Sequence, residues 1–231
     1  MSTMTFKDLC IDAVDAERLG NFWAGALGLE ARSAGDDSNG DVQLVGPTDR
    51  HTIWVNRVPE PQTVKHRIHL DVNVASIDEL TQLGATVVDP ETFPWTLMAD
   101  AEGGEFCAFV RKGEITHRLY EIGVDCGNSA DECHGLAAWW AEAFGASLND
   151  DDSGYSYIEG IPGAPFDSID FVPVPEPKVG KNRIHLDVFG DVDDLVAAGA
   201  TVLRAQDDEI AWTVLADPAG NEFCVFPLPA T

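Results

Sequence analysis

The chain consists of two copies of one sequence unit. Residues 58–72 match residues 174–188, 116 positions further along, and both segments contain Arg-Ile-His-Leu-Asp-Val. Segments 22–28, 83–87 and 95–109 match 139–145, 198–202 and 212–226 in the same order. Internal repetition constrains a fold more strongly than composition does. We therefore predict two domains of one architecture, at 1–114 and 118–231, joined near 112–119.

Within each copy, the apolar pattern predicts two βαβββ modules. Leu9, Ile11 and Ala13 alternate with other residues as in a half-buried strand. Asp15 is placed to cap a following helix, and Gly28 is placed to end it. Further strands are predicted near 42–46, 52–58, 67–73, 85–89, 95–99 and 105–110. The predicted fold class is α+β, with helices on one face of each curved, mixed or antiparallel sheet.

The two faces of these strands differ in chemistry. Ile68, Leu70 and Val72 form an apolar side, while His69 and Asp71 point the other way. A buried polar face is costly unless it is paired or hydrated, so we predict a solvent-accessible cleft in each copy. An ordinary wet sheet face is the alternative. The candidate ligand-binding residues are Asp8, Trp54, Asn56, Asp71, Glu105, Cys107, Glu121, Asp170, Asp187, Glu222 and Cys224.

Charge and cysteine content restrict the partners and the compartment. A net charge of −26 repels nucleic acid and anionic lipid, so we expect neither as a partner. The charge favours a cationic ligand, or it serves solubility alone. No apolar run approaches a membrane span and the N-terminus does not resemble a secretory signal, so we expect a cytoplasmic protein. The five cysteines lack disulfide or CxxC spacing, so we expect reduced thiols.

Residues 15–28, the Arg-Ile-His-Leu-Asp-Val segments and residues 215–224 (Leu-Ala-Asp-Pro-Ala-Gly-Asn-Glu-Phe-Cys) resemble the glyoxalase-like branch of the vicinal oxygen chelate superfamily. The resemblance covers both copies. It implies paired βαβββ modules whose sheets close into a cleft. Members of the superfamily include metal-dependent lyases, isomerases, epimerases, ring-cleaving dioxygenases and thiol transferases, and others bind drugs without chemistry. The resemblance is therefore more specific for fold than for reaction.

The resemblance also implies a metal-ligand set that this sequence alters. His69 and His185 match the ligand histidine that opens the second module, and Asp8 and Glu121 occupy the place of a first-module ligand. Cys107 and Cys224 replace the late glutamate, while Glu105 and Glu222 lie two residues earlier. The predicted groups are Asp8–His69–Cys107 and Glu121–His185–Cys224. They are compatible with zinc or iron. A strand cysteine is more often an apolar filler, so a divalent metal is not favoured.

Two functions remain open at this stage. The first is a glyoxalase-like enzyme of the lyase or isomerase kind, which acts on a small oxygenated metabolite with His69 or His185 as ligand or general base. The second is a protein that sequesters a drug or metabolite, with Trp54, Asp8 and Asp71 supplying stacking and charge. In both cases the partner is a small polar molecule, and the chain is a monomer or a homodimer.

Overall fold

The computed structural model describes residues 3–228, so the predicted domain limits at 1 and 231 lie outside the described residues. Each quarter of the chain forms a βαβββ module, as the sequence predicts. Module 1 contains β1 (Met4–Ala13), α1 (Ala16–Leu27), β2 (Glu30–Ser33), β3 (Val42–Val45) and β4 (Ile53–Arg57). Module 2 contains β5 (Ile68–Val74), α2 (Ile77–Gln82), β6 (Thr86–Asp89), β7 (Thr96–Ala99) and β8 (Glu105–Val110).

The second copy repeats this order. Module 3 contains β9 (Leu119–Cys126), α3 (Ala130–Phe144), β10 (Ser147–Asp150), β11 (Ser156–Glu159) and β12 (Ser168–Pro173). Module 4 contains β13 (Ile184–Gly190), α4 (Val192–Ala197), β14 (Thr201–Arg204), β15 (Thr213–Ala216) and β16 (Glu222–Phe226). None of the helices among residues 3–228 is long and apolar enough to cross a membrane.

Local signals at the ends of α1 agree with the sequence prediction. The side chain of Asp15 accepts a hydrogen bond from the backbone N–H of Arg18 at 3.0 Å, which satisfies one free donor of the first turn. Gly28 ends the helix in the left-handed region, with φ of 69°. A side chain at that conformation is strained, so glycine is favoured there.

The sheets do not follow the sequence copies. Sheet 1 has the order β14-β15-β16-β13-β1-β4-β3-β2 and joins module 1 to module 4. Sheet 2 has the order β10-β11-β12-β9-β5-β8-β7-β6 and joins modules 2 and 3. The central pairs, β1 with β13 and β5 with β9, are antiparallel and connect one copy to the other. The prediction of a cleft within each copy is therefore wrong, because each polar sheet face is shared between the copies.

The connections explain this arrangement. The segment 111–118, which joins the two copies, links β8 to β9 within sheet 2. The proline-containing segments 58–67 and 174–183 cross between the sheets instead. These two crossing segments contact each other, since Arg67 Nη1 donates to the Glu176 carbonyl at 2.7 Å and Arg183 Nη1 donates to the Glu60 carbonyl at 2.5 Å.

The apolar core joins the modules of one copy. The ring of Trp23 on α1 packs edge-on against Phe106 on β8, with centroids 5.2 Å apart. In the second copy, Trp140 on α3 packs in the same way against Phe223 on β16, also at 5.2 Å. All four rings are buried. Such packing joins the two modules of each copy within a core that continues through both copies, while hydrogen bonding between the copies builds the sheets.

The expectation of reduced thiols is wrong for one pair. Cys126 at the end of β9 and Cys133 in α3 form a disulfide, with Cα atoms 5.4 Å apart. The two cysteines are seven residues apart in the sequence, and they come within bonding distance because β9 leads directly into the first turns of α3. The thiols of Cys10, Cys107 and Cys224 are free and buried, as expected.

Candidate functional site

Each sheet carries a cleft on the face away from the helices. Cleft 1, on sheet 1, has a volume of about 490 Å³, and its lining includes Cys10, Trp54, Asn56, His185, Asp187, Glu222 and Cys224. Cleft 2, on sheet 2, has a volume of about 680 Å³, and its lining includes His69, Asp71, Glu105, Cys107, Glu121 and Asp170. Asp8 lies beside cleft 1, where it accepts a hydrogen bond from Trp54 Nε1 at 3.3 Å.

The predicted groups of three are wrong because the sheets exchange partners. Asp8 lies opposite Asp187 and is grouped with His185 and Cys224, not with His69. Glu121 lies opposite Asp71 on the other sheet. The predicted cooperation of Trp54 and Asp8 with Asp71 is wrong for the same reason, since Asp71 lines the other cleft.

His185 in cleft 1 is held neutral. It is buried, its Nε2 lies 3.5 Å from Asp187 Oδ1, and Cys10 lies directly opposite it on β1. Burial lowers the pKa of His185 to about 4, with Asp12 opposing that shift and Lys181 adding to it. Burial and the charge of Asp8 hold the pKa of Asp187 well above its usual range. His185 therefore favours its uncharged form at neutral pH, and the environment of Asp187 disfavours its ionised form.

Lysines compensate the remaining acids around cleft 1. Lys7 Nζ lies 2.6 Å from Asp8 Oδ2, and Lys181 Nζ lies 2.7 Å from Asp12 Oδ2. Lys178 Nζ lies 2.9 Å from Glu222 Oε1. Each of these acids thus has a cation supplied by the chain itself.

His69 in cleft 2 has the opposite electrostatic state. Its Nε2 lies 3.2 Å from Asp71 Oδ1, and its ring covers Gly123 on the neighbouring strand. Burial acts to lower the pKa of His69, but Asp71 and a hydrogen bond with Cys107 hold it well above the usual value. His69 is therefore protonated near neutral pH. Each of the two strand histidines thus lies beside the aspartate two residues further along its own strand, His69 beside Asp71 and His185 beside Asp187.

Three carboxylates of cleft 2 have no cationic side chain within ion-pair distance among the described residues: Glu105, Glu121 and Asp170. Burial and the charge of Asp170 raise the pKa of Glu121 to about 8. Burial raises the pKa of Asp170 to about 6, although Ser168 donates a hydrogen bond to it at 2.6 Å. When ionised, Glu121 and Asp170 are thus poorly compensated, whereas Asp71 and Asp125 of the same cleft lie beside His69 and Lys65.

Aromatic rings form one wall of cleft 2. Phe93 stacks on Trp95 with centroids 5.1 Å apart, and Trp95 contacts Phe109 at 5.4 Å. Phe109 packs edge-on against Tyr120 at 5.2 Å, and Tyr155 lines the same cleft. In cleft 1 the corresponding stack is shorter and consists of Trp212 on Phe226 at 5.3 Å.

Several lining residues escaped the candidate set drawn from the sequence. Trp95, the first residue of a predicted strand, and Trp212 occupy matching positions of the repeat, so comparison of the copies was the signal that could have found them. Lys7 and Tyr120 were missed because each is the extra residue of a β-bulge, where the alternation of faces fails.

The donor atoms of His69, Asp71 and Cys107 lie within 4.8 Å of one another, as do those of Cys10, His185 and Asp187. Zinc accepts ligands of these types. However, His69 and Asp71 already contact each other, and burial raises the pKa of the Cys107 and Cys10 thiols, which favours the form that does not bind metal. The altered set does not fit the family's metal centre, and we derive no step through a metal.

Comparison with known proteins agrees with this fold. The family model described as "Glyoxalase-like domain" matches residues 8–109 and again residues 121–226. Glyoxalase I from Zea mays superposes with a TM-score of 0.69 at 12% identity, over 97% of this chain and 92% of that chain. A putative dioxygenase from Bacillus subtilis gives a TM-score of 0.65 at 13% identity, over 99% of this chain and 86% of that chain.

At these identities, the structural likeness shows the fold alone. No curated protein sequence matches the chain. The two family matches nevertheless span most of its length. The chain therefore belongs to the glyoxalase-like domain family of the vicinal oxygen chelate superfamily, and it contains two copies of that domain.

Proposed function

We propose that this chain binds a small organic cation in cleft 2 and acts as a binding protein. The observation that carries the proposal is the juxtaposition of an aromatic wall, Phe93–Trp95–Phe109–Tyr120, with carboxylates that have no cationic partner. A cation over an aromatic face is attracted by the ring quadrupole, and the attraction grows when both are shielded from water. Nearby carboxylates add a direct charge interaction.

The contrast between the clefts supports this assignment. In cleft 1, lysines of the chain already pair with Asp8, Asp12 and Glu222. In cleft 2, Lys65 pairs with Asp125 at 2.7 Å, while Glu121 and Asp170 are left without such a partner in the part of the chain described. A bound cation would relieve the cost of burying these acids.

Size also supports cleft 2. Its volume of about 680 Å³ lies in the range typical of small-molecule pockets, roughly 300–1,000 Å³. Cleft 1 is smaller, at about 490 Å³. A ligand with one aromatic ring and a charged head suits a pocket of this composition.

The experiment is a thermal-shift titration with benzyltrimethylammonium, with benzyl alcohol as the uncharged control. We expect saturable stabilisation by the cation, by about 2.7 kcal/mol at a hundredfold excess over the Kd, and little effect of the alcohol. Trp95→Ala is expected to weaken the response, whereas Trp212→Ala, the matched change in cleft 1, leaves it intact. Equal responses to cation and alcohol, or equal sensitivity to both substitutions, would contradict the proposal.

An enzymatic function is the second candidate, and the pKa of Glu121 near 8 favours it. A carboxyl group with a pKa near 8 in the same cleft as a protonated His69 is suited to general acid–base catalysis. We would follow deuterium exchange at the methylene carbon of aminoacetone, a cationic carbonyl compound, by NMR in D₂O. Acceleration by the protein that is lost in Glu121→Gln would support catalysis. If the protein binds the cation but does not accelerate the deuterium exchange, only the binding function is supported.

A further inference from the structure

Corresponding β-bulges in the two sheets place different residues at the same position. On β1, the pairing with β13 skips Lys7, so that Lys7 and the following Asp8 both reach cleft 1. On β9, the pairing with β5 skips Tyr120, so that Tyr120 and the following Glu121 both line cleft 2. Bulges commonly re-aim side chains beside functional sites. Lys7 and Tyr120 are thus structural equivalents.

The ammonium group of Lys7 shows how a cation sits in this fold. Its Nζ lies 2.6 Å from Asp8 Oδ2 and 4.1 Å from the centroid of the Phe226 ring. Asp8 is 4% exposed, and the Lys7 side chain is 21% exposed. Lys7 therefore makes both interactions expected of a bound organic cation, a charge-assisted hydrogen bond and a cation–π contact.

Cleft 2 retains the carboxylate and the ring but not the lysine. Glu121 stands at the position of Asp8, and Phe109 stands at the position of Phe226. Tyr120 contributes a ring instead of a charge. Arg111 lies over Phe109 and Tyr120, 5.1 and 4.4 Å from the ring centroids, and its charge favours the ionised form of Glu121. Its side chain is exposed and its Nε donates to Asn73 Oδ1 at 2.6 Å, so among the described residues it lacks the direct carboxylate contact that Lys7 makes with Asp8. Asp71, 7% exposed, also faces this cleft, where its Oδ1 lies 3.2 Å from His69 Nε2.

We propose that the bulge residue decides which cleft accepts a ligand. In cleft 1, the ammonium group of Lys7 itself fills the ammonium subsite. In cleft 2, Tyr120 leaves the equivalent subsite open to the alkylammonium group of a ligand. The subsite consists of Asp8 and Phe226 in cleft 1, and of Glu121 and Phe109 in cleft 2. The assignment of cleft 2 rests on the proposed function. The assignment of Lys7 rests on its own contacts.

The test exchanges the two residues and follows where a cation binds. The probe is benzylammonium, which has N–H donors like the Lys7 ammonium group, and the readout is the NMR signal of each tryptophan indole N–H, assigned by Trp→Phe substitution. Trp54 and Trp212 report on cleft 1, and Trp95 reports on cleft 2. We expect the wild-type protein to show saturable shifts at Trp95 alone. In Lys7→Ala, the signals of Trp54 and Trp212 should shift as well, with a second equivalent of probe bound.

The reverse substitution closes the open subsite. Tyr120→Lys should weaken the response of Trp95 on the order of tenfold, because the new ammonium group competes for Glu121 and Phe109. Tyr120→Phe keeps the ring and adds no charge but removes a hydrogen bond to Glu121, so it should weaken the response of Trp95 much less than Tyr120→Lys does. This arm does not alter cleft 1, so it decides the proposal even when Lys7→Ala folds poorly.

The outcomes separate the two proposals. The role of the bulge residue is overturned if the Trp95 response of the wild type persists in Tyr120→Lys. It is also overturned if Lys7→Ala folds but its Trp54 and Trp212 signals do not respond. In both cases cation binding in cleft 2 still stands. A response of Trp54 and Trp212 in Lys7→Ala, with none at Trp95 in the wild type, refutes the proposed function and supports the role of Lys7.

Discussion

The contact between His69 and Gly123 permits a quantitative test of how cleft 2 is built. A Cβ atom at residue 123 would lie 2.9 Å from His69 Nδ1 and closer still to Cε1 and Nε2. The φ of Gly123 lies outside the left-handed region, so alanine can adopt the backbone conformation and the cost is steric. In Gly123→Ala the imidazole must move, which strains the packing and weakens its 3.2 Å contact with Asp71.

Overpacking of this kind costs about 1–3 kcal/mol. We expect Gly123→Ala to lower the free energy of unfolding by about 2 kcal/mol, and to lower the Tm by roughly 4–8 °C for a chain of this size. Urea denaturation followed by circular dichroism, with the disulfide intact, measures the loss. The control is Gly135→Ala on the exposed side of α3, where a Cβ meets nothing within 4 Å. That change should be neutral or stabilising by up to about 1 kcal/mol.

A double-mutant cycle identifies the source of the cost. In a His69→Ala background, the space left by the ring accommodates the new methyl group, so Gly123→Ala should then cost less than about 0.5 kcal/mol. The coupling energy between the two positions is expected to be about 1.5 kcal/mol. An equal cost of Gly123→Ala in both backgrounds would refute the placement of His69 over this glycine.

Three further predictions concern covalent and electrostatic features. Reduction of the Cys126–Cys133 disulfide should lower the free energy of unfolding, measured by urea denaturation, by about 2–3 kcal/mol. The control, Cys133→Ala, should not respond to reductant. An unchanged urea midpoint after reduction of the wild type would contradict the prediction. The pKa of His185 is lowered to about 4, so the neutral ring stabilises the folded state above pH 6.5. Relative to His185→Gln, we expect the free energy of unfolding to decrease by about 3 kcal/mol as the pH falls from 6.5 to about 4. A pH-independent difference between the two proteins would oppose this assignment. The affinity for benzyltrimethylammonium should increase on the order of tenfold as the pH rises through the Glu121 pKa near 8. In Glu121→Gln the affinity should depend much less on pH. An identical pH dependence in both proteins would argue against Glu121 as the counterion.

Local patterns in the sequence were sufficient to predict the modules. The alternation of Ile68, Leu70 and Val72 with His69 and Asp71 separates the two faces of β5, because successive side chains of a strand point to opposite sides. Asp15 and Gly28 mark the ends of α1 for equally local reasons, a side-chain cap and a left-handed glycine. The repeat then extends each conclusion from one copy to the other. These features depend on neighbours along the chain.

The partners of the site residues were decided only by the tertiary structure. The strands β1 and β9 have the same alternation, so the sequence offers no reason for Asp8 to meet His185 instead of His69. Either pairing buries the same apolar face, and in this structure the segments 58–67 and 174–183 cross between the sheets and give the observed one. His69 and His185 each lie two residues before an aspartate of the same strand, yet Asp71 and Cys107 hold the pKa of His69 above its usual value while burial lowers that of His185. This difference depends on the burial and the surroundings of each ring, which only the tertiary structure sets.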